Sequence, residues 1–514
     1  MQFKPTKLTV ACILTLFLST LPSLAQAVTP KPVTGSNGVP PRVSLVEQPQ
    51  DALRVWGRDK EQNRTLVLIS SNIGIMSTRE KDNPLIDGLA AKGDWDGLLS
   101  RDFPTARYYP VTASNYLYVA HRTGIISEVY WIPPAKSSVG QEPMTDFKGF
   151  LADLGVQKGE LDALKQDNKS IGGTLNGVPV HIYSLKDLPK IKDDALILID
   201  LSTFQPYYTD EVKTPILDLF GAFIGALGDA DINASDVAVS LSTAFGPVPI
   251  EYRFLGSYLN TYLSNPASLK DGPLKTWRLR SDGMYYKTFS QYDEQKEACE
   301  EAVKSDPADA SLWYDLAVAS FYIKDAGRLK ESLDMAVALD RGYYPAYINY
   351  GNYFTSKEMP GEAEAFLKEA VRVNPDDPRG YNGLHDLYFS TGDYKEATDA
   401  LTELVGKGFD GPENLAALAD TYRKQKIYDK AEKYLLYGLA KLPQVDNEAR
   451  LDMVLKLASV YEEDGKVEKS LATLQDALTR TADPHLKEQI QAKADAIRSK
   501  WAPFINPAPQ KPSQ

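Results

Sequence analysis

Apolar positions in the C-terminal half follow a helical rhythm, in paired blocks of fixed length. In residues 344–375, YPAYINYGNYFTSKEMPGEAEAFLKEAVRVNP, Tyr347, Tyr350, Gly351 and Phe354 make one helical stripe, and Ala363, Leu367 and Ala370 make a second. A turn separates the stripes. Pro375 closes the block, because proline has no N–H to continue a helix and restricts the residue before it. The block starts at Thr276, Ala310, Tyr344, Pro378 and Pro412, each 34 residues after the last, and again at Leu451 after five extra residues.

Before Thr276 the pattern changes. Short β-branched or aliphatic runs stand at residues 65–70 (TLVLIS), 128–133 (EVYWIP), 178–184 (VPVHIYS), 195–200 (ALILID) and 236–243 (DVAVSLST). Unbroken apolar runs of this length fit buried parallel strands. They alternate with helix-like stretches such as FKGFLADLG and PILDLFGAFIGALGDA, which predicts an α/β domain with a mostly parallel sheet over residues 43–271. Residues 28–42, rich in proline and glycine, read as a linker, and the proline-rich polar stretch 502–514 as a disordered tail.

The 34-residue helix–turn–helix period resembles the tetratricopeptide repeat. Its large and small positions are matched by Trp313, Leu316 and Ala317; by Tyr381, Leu384, His385 and Tyr388; by Leu415, Leu418, Ala419 and Tyr422; and by Val454, Leu457, Ala458 and Tyr461. Gln295, Leu329, Ser470 and His385 depart from the small residues of that pattern. The resemblance implies six units over residues 276–482, stacked as an all-α solenoid because one unit cannot bury its own apolar face. A polar helix at 483–501 would cap the far end, and Trp277 would join the near end to the α/β domain. In that family, first-helix positions 2, 5, 9, 12 and 13 line the concave face. Here this implies a partner-binding groove of Tyr314, Phe321, Tyr322, Asn352, Asn382, Asp386, Phe389, Asp420, Arg423 and Lys424. Aromatic anchors among polar groups suit a protein or peptide partner; the same residues also fit an ordinary solvated face. The Lys-and-Asn arrangement that clamps a C-terminal carboxylate in some relatives is missing.

Composition adds the compartment. Lys4 and Lys7, an apolar core over residues 8–21 and Ala25-Gln26-Ala27 form a secretory signal peptide with cleavage after Ala27. The mature chain is therefore expected to be periplasmic or secreted, with no transmembrane segment. Removing the two lysines takes the formal charge from −12 to −14, which argues against nucleic acid as a partner. Cys299 is then the one cysteine left, so no intramolecular disulfide can form.

Candidate chemistry gathers where ligands bind in open α/β sheets, beyond the carboxyl ends of the strands. The runs LVLISSNIGI and ILIDLSTFQP resemble the two metal-binding strand ends of the arginase and deacetylase superfamily. The resemblance places Ser70, Asn72 and Gly74 at one set of ligand positions, and Asp200, Ser202 and Gln205 before Pro206 at the other. Only Asp200 keeps a carboxylate, and the four histidines are scattered, so no catalytic residue, metal or cofactor is expected. Asp200 with Asp210 and Glu211 could pair as acid and base, or cap a loop. Two readings follow. One is an exported adaptor: a non-catalytic α/β domain with a strand-end pocket, fused to a solenoid that holds a protein or peptide. The other is a metal-dependent hydrolase of amide-type bonds whose solenoid recruits substrate.

Overall fold

The computed structural model describes residues 31–35, 37–99, 110–134, 139–141, 144–191, 193–205, 215–244, 246–270, 272–442 and 448–505. The signal segment, Pro206, Asp210, Glu211 and Pro443 lie outside the described residues. The chain divides into two compact units, the second, among the described residues, starting at Tyr344.

The first unit holds a sheet of eight strands: β1 (Arg42–Val46), β2 (Arg64–Ile69), β3 (Ile126–Ile132), β4 (Lys165–Gln166), β5 (Ser170–Leu175), β6 (Val178–Tyr183), β7 (Ala195–Asp200) and β8 (Ala234–Ser240), in the order β1-β8-β7-β2-β3-β6-β5-β4. Five neighbouring pairs are parallel, and β4 and β5 join antiparallel at one edge. All five expected runs are strands. Strand β5, the partner of β6 in a hairpin, escaped the periodicity argument because Gly172 and Gly173 interrupt its apolar run. Its signal is the Asn176-Gly177 turn, where both residues take positive φ (48° and 82°), as tight hairpins require. The expected linker is also part of the fold: Val33 is buried, Thr34 bridges to Asn233, and Arg42 opens β1 beside Asp236.

Alternation along the strands splits the core in two. Leu66, Leu68, Val129, Trp131, Leu196 and Leu198 face α1 (Ala52–Arg58), α2 (Asn83–Ala91), α3 (Trp95–Leu99), α4 (Tyr116–Arg122), α5 (Met144–Asp153) and α6 (Lys158–Ala163). On the other face Val67, Ile69, Ile197, Ile199, Val237 and Val239 meet α7 (Ile216–Asp229) and α8 (Phe254–Ser264). The chain continues from β2 to β3 on one side and from β7 to β8 on the other. The adjacent carboxyl ends of β2 and β7 therefore form a topological switch point. Two helical hairpins complete the unit: α9 (Lys275–Thr288) with α10 (Tyr292–Ser305), and α11 (Ala310–Tyr322) with α12 (Ala326–Leu339).

The second unit is helical throughout its described residues. It contains α13 (Pro345–Ser356), α14 (Pro360–Val373), α15 (Pro378–Thr391), α16 (Tyr394–Gly406), α17 (Pro412–Lys424), α18 (Tyr428–Lys441), α19 (Glu448–Glu463), α20 (Val467–Arg480) and a last helix α21 (Pro484–Ile505), which reaches into the segment expected to be a tail. Local chemistry sets the starts: Asp309 and Asp377 accept the N–H of Ser311 and Arg379 as N-caps. Pro345, Pro360, Pro378 and Pro412 occupy first-turn positions where an N–H has no intrahelical partner. One backbone feature marks the repeat. Ser290, Lys324, Glu358, Gly392 and Lys426 all have positive φ, at intervals of 34 residues, and Gly465 follows five residues late. Each sits in the turn inside a hairpin.

Glu462, buried on α19, receives Lys493 and Lys500 from α21 at 3.2 and 2.8 Å. Burial works to raise its carboxyl, but the two lysines outweigh that and hold it below the usual range. Its contribution is present above the unfolded carboxylate range and lost as pH falls through its lower folded value. Acidification below about pH 4 is therefore expected to loosen α21, read as faster amide exchange in α21 than in α17; Glu462→Gln should remove that pH dependence. Among the described residues no helix is long and apolar enough to cross a membrane.

Candidate functional site

At the switch point the structure brings together four of the five predicted pocket residues. Asp200 is buried; its carboxylate accepts the Ser202 N–H at 2.8 Å and the Ser242 hydroxyl at 2.6 Å. Ser71 N–H reaches Ser202 Oγ at 3.3 Å, and Ser70 Oγ accepts the Asn72 N–H at 3.2 Å. Gln205 stands apart, exposed at the end of a short turn. Ser240 and Ser242, 3.0 Å apart and both buried, extend the network. Ser242 carries a positive φ of 52° on a non-glycine residue. The donor set does not fit a divalent ion. Hard cations want several carboxylates, whereas this cluster offers one, with both oxygens already accepting, among hydroxyls and amides. Asp200→Ala would leave the buried Ser202 N–H without an acceptor and Ser242 with Ser240 alone, and a loss of about 1–3 kcal/mol in urea unfolding is expected.

The loop after β8 also faces the hairpins. Glu47 accepts from Ala244 N and from Thr243 Oγ1, at 2.8 and 3.2 Å. Arg253, at the start of α8 and buried, donates to Thr243 Oγ1 (2.6 Å) and Glu47 (2.7 Å), and forks onto both oxygens of Asp340 at 2.7 and 3.0 Å. Asp340 follows α12. Gly342 is required beside it, since a Cβ there would lie 1.9 Å from Arg253 Nη2.

A second arginine, Arg280 on α9, is fully buried. It donates to Asp315 (2.6 Å), Tyr258 OH (2.9 Å) and Ser311 Oγ (2.5 Å), and lies 4.5 Å over the Phe254 ring. Trp277 stacks on Tyr258 with centroids 3.8 Å apart and meets Phe220 edge-on. Lys287 pairs with Glu251 at 3.3 Å. Trp277, Arg280 and Lys287 are first-helix positions 2, 5 and 12, so in the first hairpin the expected groove positions are turned onto the α/β core. Tyr314, placed in the groove from sequence, is buried and stacks on Tyr343 at 5.0 Å. Phe321 and Tyr322 remain at least partly exposed, and Tyr322 stacks on Tyr292 at 4.6 Å. Cys299 is buried and its thiol is pushed well up by burial, the behaviour of a small core residue.

In the second unit the predicted positions stay accessible. Asn352 is exposed; its Oδ1 lies 2.9 Å from where a Cβ on Gly383 would fall, which joins α13 to α15. Asn382 and Phe389 are half-buried and Asp386 is exposed. His385 bonds Asp386 through Nδ1 (2.9 Å) and Thr421 of α17 through Nε2 (3.1 Å), with Phe389 5.5 Å from its ring. Its functional signal in the sequence is an imidazole at a small-residue position. Farther along, Arg423 pairs with Asp420 (3.2 Å) and Glu463 (2.6 Å), and Lys424 is exposed. Predicted charges there meet one another.

The profile of the tetratricopeptide repeat matches residues 283–309 and 344–377. Anaphase-promoting complex subunit 6 of Arabidopsis thaliana is 26% identical over 179 residues, 34% of this chain. The chain spans about a third of that relative's length (33%). Among solved structures, Naa15/Naa10 bound to HypK-THB aligns with TM-score 0.33 and 18% identity over 45% of this chain and 35% of that one. YrrB, a repeat protein with an unusual peptide-binding site, aligns with TM-score 0.29 and 20% identity over 38% and 99%.

Proposed function

With tetratricopeptide repeats in its C-terminal half, we propose that this protein is an exported adaptor that holds a protein or peptide segment on the first-helix face of its second unit. Asn352, Asn382 and Asp386 would bond the segment's backbone and polar groups, and Phe389 would anchor an apolar side chain. The observation that carries this reading is a contrast. Groove positions of the first hairpin are covered by Tyr258, Phe254 and Glu251, whereas those of α15, and Asn352 on α13, remain exposed or half-exposed. The α/β domain serves as a non-catalytic base, a role in keeping with a strand-end cluster whose single carboxylate is already satisfied.

The test is affinity capture by the full chain from its own compartment, compared with Asn382→Ala/Phe389→Ala. The double variant should lose at least about tenfold in affinity for the captured partner, the weight of one interface anchor, with an unchanged melting temperature. Equal capture by both chains would refute the groove. Export is checked by intact mass of the mature protein, expected to begin at Val28.

A further inference from the structure

The first hairpin has an open stacking face. In the next hairpin Leu312, Leu316 and Ala319 lie at first-helix positions 3, 7 and 10 and are buried in a cluster with Cys299, Ala302 and Val303 of α10. Those positions receive the second helix of the preceding hairpin. On α9 the same positions are Arg278, Asp282 and Tyr285, and no hairpin precedes it.

The face they belong to is aromatic and acidic. Asp282, Tyr285, Tyr286 and Phe289 follow the i, i+3, i+4, i+7 spacing of one helix side. Tyr285 is 49% and Phe289 56% exposed, with ring centroids 4.7 Å apart, and Tyr286 lies 6.1 Å from Tyr285. Asp293, Glu294 and Glu297 are exposed on α10, and Asp282, Glu294 and Glu297 are near enough to add to the upward shift that burial gives the Tyr286 phenol. Neighbouring cations are engaged elsewhere: Lys275 with Glu301, Arg280 with Asp315, Lys287 with Glu251, and Lys296 with Glu300; Arg278, one turn before Asp282, donates to the Pro273 carbonyl at 3.0 Å. Asp282, Asp293, Glu294 and Glu297 make no ion pair among the described residues.

We propose that this end face docks a basic helical segment of a partner protein, at a surface separate from the groove of the second unit. The helical form follows from the position, which in the next hairpin is filled by the helix α10. The basic character follows from the carboxylates of Asp282, Glu294 and Glu297 beside three rings, two of them strongly exposed; a Lys or Arg gains both ion pairing and cation–π contact there.

The experiment uses the full chain and a fluorescent amphipathic helical peptide of lysine and leucine, with a glutamate–leucine peptide of the same pattern as control. The lysine peptide should bind, more weakly as salt rises, and the control should not. Tyr285→Ala/Phe289→Ala should weaken binding at least about tenfold, and so should Glu294→Lys/Glu297→Lys, which changes only exposed carboxylates and remains decisive if the aromatic variant fails to fold. Equal binding to the charge-reversed chain, or equal binding of the control peptide, would overturn the proposal. Concentration-dependent self-association abolished by the same substitutions would also overturn it, by placing a second copy on this face.

Discussion

Replacing Arg280 by alanine is expected to cost about 3–5 kcal/mol, the range for removing one partner of a buried ion pair. The loss has three parts. Asp315 would keep a partly buried carboxylate without its cation, Tyr258 OH and Ser311 would lose their partner, and the ring of Phe254 would face a void. Arg280→Lys should fall between, because an ammonium cannot reproduce three directed donations from a planar fork. Arg280→Ala/Asp315→Ala should recover part of the loss by removing the stranded charge. Urea unfolding followed by tryptophan fluorescence reads this directly, since Trp277 stacks on Tyr258 beside the guanidinium. A cost under 1 kcal/mol would mean that water replaces the guanidinium easily.

The largest expected effect comes from cutting the chain. A fragment ending at Leu274 carries every strand of the sheet but loses Trp277 and Met284 from the core on the face of α7 and α8, together with Asp340, the fork partner of Arg253. It should bind a hydrophobic dye and keep far-UV but lose near-UV circular dichroism, the signature of a collapsed state without fixed packing. A fragment ending at Tyr343 keeps both hairpins and should unfold cooperatively. If the shorter fragment melts as sharply as the longer one, the α/β core is independent of the hairpins.

That dependence is the part least visible in the amino-acid sequence. Periodicity located the five central strands and the helical hairpins, because each is a local pattern with its own apolar face. It placed Trp277 at the join as well. It could not show that Arg253 and Arg280 sit in the core, since an arginine looks the same in sequence whether it meets water or Asp340 and Asp315. The Ser242 donation to Asp200 spans 42 residues and has no local trace. Tyr314 illustrates the same limit. Its repeat position implied a groove, and only the tertiary fold, with Tyr343 stacked against it, turns it inward.

The left-handed turn residues have a further meaning for how this chain can change length. A hairpin whose turn depends on one positive-φ residue at a set place tolerates no added residue between its two helices without losing that turn. The five extra residues fall after α18 and ahead of the turn at Gly465, and part of them lengthens the start of α19, which has 16 residues against 12–14 in the other first helices. Growth of the chain is thus kept to the joints and the helix starts beside them, away from the turns inside the bricks. A duplicated or foreign segment should be accepted after Leu442 and rejected beside Glu358 or Gly392.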